Sequence, residues 1–223
     1  MMKKLMLAAC LALTLAMPGT KAFCEVVGRT QEDWIHRYTA PNGQEIYYVS
    51  FLSEDGEFVT MEDVNFDGVD DVVVLTSFGA SNAFYEFYVW DGAQYTLATR
   101  NQGLDTGLAN YQLYPQQGLV LSHANNGLAG LAHETDIFRW EGTSLTLVRS
   151  AVSDYENTSL FENRQYISID NYDVVHMRVY EAEYDGYERK DNLLWEARLD
   201  MTQANDEQAL LEQEDAALWQ GLR

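Results

Sequence analysis

Cysteine is almost missing from this chain: two residues in 223, Cys10 and Cys24. Cys10 sits inside an apolar N-terminal run expected to be removed, which leaves Cys24 alone, so no intramolecular disulfide can staple the fold. Stability must then come from core burial. Basic residues are scarce too, 14 Lys and Arg against 35 Asp and Glu, for a formal charge of −21. A surface this acidic argues against nucleic acid and anionic membrane as partners. Beyond the N-terminus no stretch is both long and uncharged enough to span a bilayer. Also absent are a His-Glu-x-x-His zinc signature, a nucleophile elbow, a Walker loop and a dinucleotide glycine fingerprint, so the common catalytic motifs are excluded.

Lys3 and Lys4, the uncharged run Leu5 to Met17, and small residues Thr20 and Ala22 before Phe23 read as a secretory signal peptide over residues 1–22. Cys24 follows Phe23 where a lipoprotein signal needs a small residue, which argues against a lipid anchor. The expected product is an exported protein, secreted or in the cell envelope, periplasmic where there are two membranes. The signal holds Lys3, Lys4 and Lys21, three of the 14 basic residues and no acid, so the mature charge is 11 − 35 = −24. Residues 23–223 are long enough for one β-domain with a substantial core.

One stretch demands a particular chemistry. In Asp63-Val64-Asn65-Phe66-Asp67-Gly68-Val69-Asp70-Asp71, oxygen donors recur at alternate positions: Asp63, Asn65 and Asp67, then the Val69 carbonyl and Asp71. That spacing wraps a short loop around one hard cation, and Gly68 permits the sharp reversal, so Ca²⁺ is the expected cofactor. Asp70 is expected to face solvent. An EF-hand would place Glu twelve positions from the start, but Val74 stands there within an apolar run that favours a strand. Calcium should stabilise the fold, because it offsets repulsion among clustered carboxylates. The bland alternative is an acidic Asp-Gly turn that binds nothing.

Asp-x-Asn-x-Asp-Gly-x-x-Asp followed by an apolar strand resembles the calcium loops of FG-GAP and VCBS repeats, the units of integrin-type β-propellers. The downstream stretch Asn82 to Gly92 is similar to exported bacterial degenerate-propeller proteins that include immunity proteins against lysozyme-like effectors. The resemblance spans roughly Phe58 to Val148. It implies a propeller-like fold and, as a partner, a peptidoglycan-cleaving enzyme.

Period-two alternation predicts strands over Gln44 to Leu52 and Glu57 to Met61, joined as a hairpin through Asp55-Gly56. Val72 to Ser77, Phe84 to Trp90 and Gln94 to Thr99 continue an antiparallel meander, and Phe84 to Trp90 is apolar on both faces. Trp90-Asp91-Gly92 is echoed by Trp140-Glu141-Gly142 at an offset of 50, which Gly68 and Gly118 share. Such an offset suits a four-stranded unit, although two ordinary Trp-acid-Gly hairpins would look the same. In the second unit the donor positions hold Leu113, Pro115, Gln117 and Leu121, so one calcium site is expected.

Asn101 to Gly107 and Ser122 to Gly127 read as loops, and Ser153 to Asn163 as irregular. Gln165 to Ile169, Val174 to Tyr184 and Leu193 to Leu199 read as strands, the last two as a hairpin turning at Asp185-Gly186. A capping box at Asn205 to Gln208 and apolar residues at helical spacing predict a terminal amphipathic helix over about 205–221. His36, His123, His133 and His176 are scattered without metal-ligand spacing, and exposed tyrosines can stack on sugars or anchor a protein.

The expectation is an all-β protein of antiparallel meanders, degenerate propeller-like or sandwich, with a C-terminal helix. It is expected to be a calcium-binding, non-enzymatic module for a protein or glycan partner. Two alternatives stay open: a carbohydrate-active hydrolase whose carboxylate pair must be read in space, and a purely structural exported domain.

Overall fold

The computed structural model describes residues 22–100, 107–127, 130–156, 174–185, 188–200 and 207–223. The predicted signal peptide up to Lys21, the predicted strand Gln165 to Ile169, the Asn205-Asp206 cap, Gly186 and most of the Asn101 to Gly107 loop lie outside the described residues. Alternating burial defines the strands. In Glu45–Ser50, Ile46, Tyr48 and Ser50 turn inward while Glu45, Tyr47 and Val49 face solvent, the half-buried pattern that a pleated strand produces.

In chain order the strands are β1 (Ala22–Arg29), β2 (Trp34–Thr39), β3 (Glu45–Ser50), β4 (Gly56–Glu62), β5 (Asp71–Phe78), β6 (Ala83–Trp90), β7 (Tyr95–Leu97), β8 (Thr99–Arg100) and β9 (Leu108–Ala109). They continue with β10 (Gln112–Tyr114), β11 (Leu119–Gly127), β12 (Ala132–Glu141), β13 (Ser144–Glu156), β14 (Val174–Asp185) and β15 (Glu188–Asp200), and helix α1 (Glu207–Leu218) closes the chain. The first sheet has the order β3-β2-β1-β4-β5-β6-β7 with β9 paired to β6, and the second β10-β11-β12-β13-β14-β15 with β8 paired to β13. Every pairing is antiparallel except β8 with β13. The first sheet curls until β3 returns to β5: Phe51 N donates to the Thr76 carbonyl at 3.1 Å, and Ser50 Oγ to the same oxygen at 2.5 Å. A nearly closed barrel results, filled by Cys24, Tyr38, Ile46, Tyr48, Val59, Val72 and Val74.

The doubly apolar strand behaves as its sequence requires. Tyr88 of β6 faces the barrel interior, while Phe87 and Val89 join Val73 of β5 on the other side. There they pack against Val120, Phe138, Leu145 and Leu147 of the second sheet. Each such fully buried side chain contributes about 1.5–3 kcal/mol, so this inter-sheet core holds the two halves together. The far side of the second sheet is covered by α1, whose Leu218, with Trp219 just beyond the helix, packs on Leu119, Leu121, Ile137 and Val179. The all-β class, the meanders and the packed terminal helix therefore stand.

Three local expectations are corrected. Asp55-Gly56 is no hairpin turn, because β1 and β2 lie between β3 and β4 in the sheet. Asp55 instead accepts a hydrogen bond from Val26 N at 2.6 Å, and Gly56 pairs with Cys24. Ser122 to Gly127 is strand, part of β11 along β12, and its polar character is absorbed by side chains of the first sheet and its neighbours. Asn82 bonds both the amide and the carbonyl of Asn125, and Asn110 Nδ2 donates to the His123 carbonyl at 2.9 Å. Ser153 to Glu156 also continues a strand, β13, paired with Val174 to Met177.

Candidate metal loop at the junction of the two sheets

The loop Asp63 to Asp70 joins β4 to β5, and its own side chains organise it. Asp67 N donates to Asp63 Oδ1 and to Asn65 Oδ1, both at 3.1 Å, which draws the oxygens of the first and third donor positions to one point. Gly68 N donates to Asp63 Oδ2 at 2.9 Å and Val69 N to Asp67 Oδ1 at 2.8 Å. Asn65 Nδ2 closes the ring on Asp67 Oδ2 at 3.0 Å. Two residues adopt left-handed backbone, Gly68 at φ +87° and Phe66 at φ +66°. A side chain in that region costs about 1–2 kcal/mol. Phe66 is held there because its ring packs onto the inter-sheet core while the amide that follows is bound by Asp63 and Asn65.

Asp71 plays a different part from the other donors. It is fully buried at the start of β5, and its carboxylate accepts from Trp90 N at 2.8 Å through Oδ1 and from Val64 N at 3.2 Å through Oδ2. Burial pushes its pKa up to about 6. The Trp90 and Val64 amides pull the other way, and the charge of Asp67 adds to the rise. The second sheet also grips the loop: Trp140 Nε1 donates to the Val64 carbonyl at 2.7 Å. Tyr111 donates to Glu62 Oε2 at 2.6 Å, immediately before Asp63. Burial, reinforced by Glu62, raises the Tyr111 pKa, so the phenol remains a donor.

The predicted residues are thus brought together unequally. Asp63 and Asn65 meet on the Asp67 amide, Val69 and Asp70 are exposed, and Asp71 is buried with both oxygens engaged by the Val64 and Trp90 amides. Among the described residues no three His, Cys, Asp or Glu side chains stand in an arrangement that would hold a metal ion. The donor set is oxygen-only, the kind a hard cation takes, while Asp63 Oδ1 and Asn65 Oδ1 are engaged by the Asp67 amide. Asp71 would contribute by turning an oxygen lone pair that its two amide bonds leave over.

A second polar cluster was not visible in the sequence. His123 and His133 lie side by side on neighbouring strands, their ring centroids 5.5 Å apart. His133 Nε2 meets Glu214 of α1 at 2.8 Å, both side chains buried, and His133 Nδ1 meets the Gly130 carbonyl at 2.9 Å. Burial alone would lower the His133 pKa, but the hydrogen bond and charge of Glu214 outweigh it and raise it above the ordinary value. His123 goes the other way, lowered by burial and by the charge of His133. The histidines thus serve as hydrogen-bonded polar groups, and what brings His123 beside His133 is the cross-strand register of β11 and β12.

No family model matches the chain, and no curated protein matches it. Among solved structures it is similar to a Xanthomonas Type IV secretion system related protein, at 15% identity and a TM-score of 0.42, over 75% of this chain and 85% of that one. Among the described residues no helix is long and apolar enough to cross a membrane.

Proposed function

We propose that this chain is an exported calcium-binding β-domain that works as a non-enzymatic binding module. The observation that carries this reading is the double acceptance of the Asp67 amide by Asp63 and Asn65, in a loop fastened to both sheets. Asp63, Asn65, Asp67, the Val69 carbonyl and Asp71 would hold the ion. Bound calcium supplies charge that offsets the buried Asp71 and its neighbour Asp67. This chain's own residues then hold the β4 and β5 ends in place, through Trp90 and Trp140, and fix the surface beside the loop.

The partner class follows from charge. A chain of net −21 attracts a cationic protein and accelerates its association. A peptidoglycan-cleaving enzyme of the basic lysozyme type has that character, which agrees with the resemblance to immunity proteins. The test is lysis of peptidoglycan by a basic lysozyme in the presence of excess protein and calcium. Inhibition that disappears in Asp67→Ala supports the reading, and undiminished lysis at saturating protein removes the peptidoglycan-enzyme version.

A further inference from the structure

Ten large apolar side chains stand exposed among the described residues, and four of them lie on the outer face of β1 to β3: Val27, Tyr47, Val49 and Phe51. Their exposures are 45%, 53%, 48% and 70%, and none of the described residues buries them. The register makes them neighbours. Glu25 pairs with Arg37 and Arg37 with Tyr47, and one row along Gly28 pairs with Ile35 and Ile35 with Val49. Ile35 lies against Gly28, where a Cβ would stand 3.4 Å from Ile35 Cδ1. Tyr47, Val49 and Phe51 form a stripe on alternate positions along and just past β3, flanked by Ile35 and by Val27 at the irregularity in β1. Neither the inter-sheet core, which uses β5 and β6, nor α1, which uses the second sheet, reaches this face.

The rim is acidic. Arg37 is bound by Glu25 and by Glu45, and Tyr47 donates to Glu45 at 2.6 Å, so the cation on this face is neutralised twice over. Across residues 22–62 there are eight acidic residues and two arginines. An exposed apolar patch of this kind marks an interaction surface. The charge decides what covers it. Two copies of the same acidic rim repel one another, whereas a cationic partner is drawn in and oriented by it.

We infer that the outer face of β1, β2 and β3 docks a cationic protein: the Tyr47, Val49 and Phe51 stripe receives an apolar anchor, and Glu25 and Glu45 receive the Lys or Arg around it. The inference rests on the binding-module reading above and names the face that would do the binding. Buried anchors carry most of the affinity of such interfaces, while rim charges set the association rate and its salt dependence.

The experiment is a calorimetric titration of the intact calcium-loaded protein with a basic lysozyme and, as a cationic protein of another kind, with cytochrome c. It is repeated for Val49→Gln with Phe51→Gln and for Glu25→Gln with Glu45→Gln, with a melting curve for each. The expected result is binding to at least one basic protein that weakens tenfold or more in the Val49/Phe51 variant. The Glu25/Glu45 variant should bind more weakly at low salt, with a shallower salt dependence across titrations at several ionic strengths. Wild-type binding that both variants retain, with melting temperatures unchanged, overturns the face and leaves the binding-module reading standing. No binding to either basic protein removes the cationic occupant and overturns the inference. Self-association of the wild type that the Val49/Phe51 variant loses makes the occupant a second copy, and overturns the inference.

Discussion

The two meanders, β4 to β7 and β10 to β13, share a topology and an offset of 50 residues, yet they are fastened by opposite chemistry. Gly68 and Gly118 both turn with positive φ, +87° and +66°, between the first two strands of each unit. Trp90 ends the third strand of the first unit, and Trp140 is the next-to-last residue of the third strand of the second. At the start of the second strands the units diverge: Asp71 and Leu121 stand at matching positions and both are buried. Asp71 is held by two backbone amides under a polar loop, while Leu121 packs beneath α1. The connection in the second unit shrinks to Pro115 to Gly118, closed by Gln117 N on the Tyr114 carbonyl at 3.1 Å. There the Tyr114 ring packs tilted against Trp219, with centroids 4.7 Å apart, and Arg149 donates to the Gln220 carbonyl. One hairpin position can thus be secured by oxygen donors or by a docked helix. Where the helix docks, the unit carries no carboxylate at the donor positions.

The largest blow to this contrast falls on the helix side. His133→Ala leaves Glu214 buried without its partner and should cost about 3–5 kcal/mol in urea denaturation. Replacing both residues by apolar ones of similar volume should cost much less, because no charge is then left stranded. On the loop side, Asp71→Ala orphans the Val64 and Trp90 amides, at about 1–3 kcal/mol each by the same measurement. Gly68→Ala and Gly118→Ala sharpen the equivalence of the two turns. A Cβ meets no atom within 4 Å at either site, so only backbone strain remains. The two variants should lose similar amounts, about 1–2 kcal/mol.

The smallest expected effect is a pH dependence of the helix junction. Glu214 of α1 faces His133 of β12, and His123 of β11 lies beside it. Because the folded state raises the His133 pKa, its stabilisation is complete below the ordinary histidine value and is lost as pH rises through the raised one. The stability difference between wild type and His133→Gln should therefore shrink as pH rises above the ordinary histidine value in urea titrations. A difference that grows instead would mean that the His133 imidazole is held neutral.

Much of this architecture was legible because it is local. Alternation in Glu45 to Ser50, the double apolar face of Phe84 to Trp90, and the helical spacing of Leu210, Leu211, Leu218 and their neighbours are set by residues close in sequence. The spacing of Asp63, Asn65 and Asp67 is local too, and it places the Asp63 and Asn65 oxygens on the Asp67 amide. What the sequence concealed depends on distant register. β1 inserts between β2 and β4 through pairings more than thirty residues apart, such as Ala22 with Val59, which turned an expected hairpin into a crossover. Polar β11 passed for a loop because the groups that satisfy it, Asn82 and Asn110, belong to other elements. Trp140, Tyr111 and Glu214 carried no local sign of their partners Val64, Glu62 and His133.

The central claim is that the polar loop of the first meander holds calcium and thereby steadies the junction of the sheets. It is tested most directly by calorimetric titration of calcium into EDTA-stripped protein beginning at Phe23, beside Asp67→Ala, with melting curves in and out of calcium. The predicted result is saturable one-site binding that the variant loses, coupled to a higher melting temperature. At free calcium about ten times the dissociation constant, the gain should be about 1.4 kcal/mol. No binding at millimolar calcium, with melting curves that superimpose, would contradict the claim and leave the loop as an acidic turn held by its own amides.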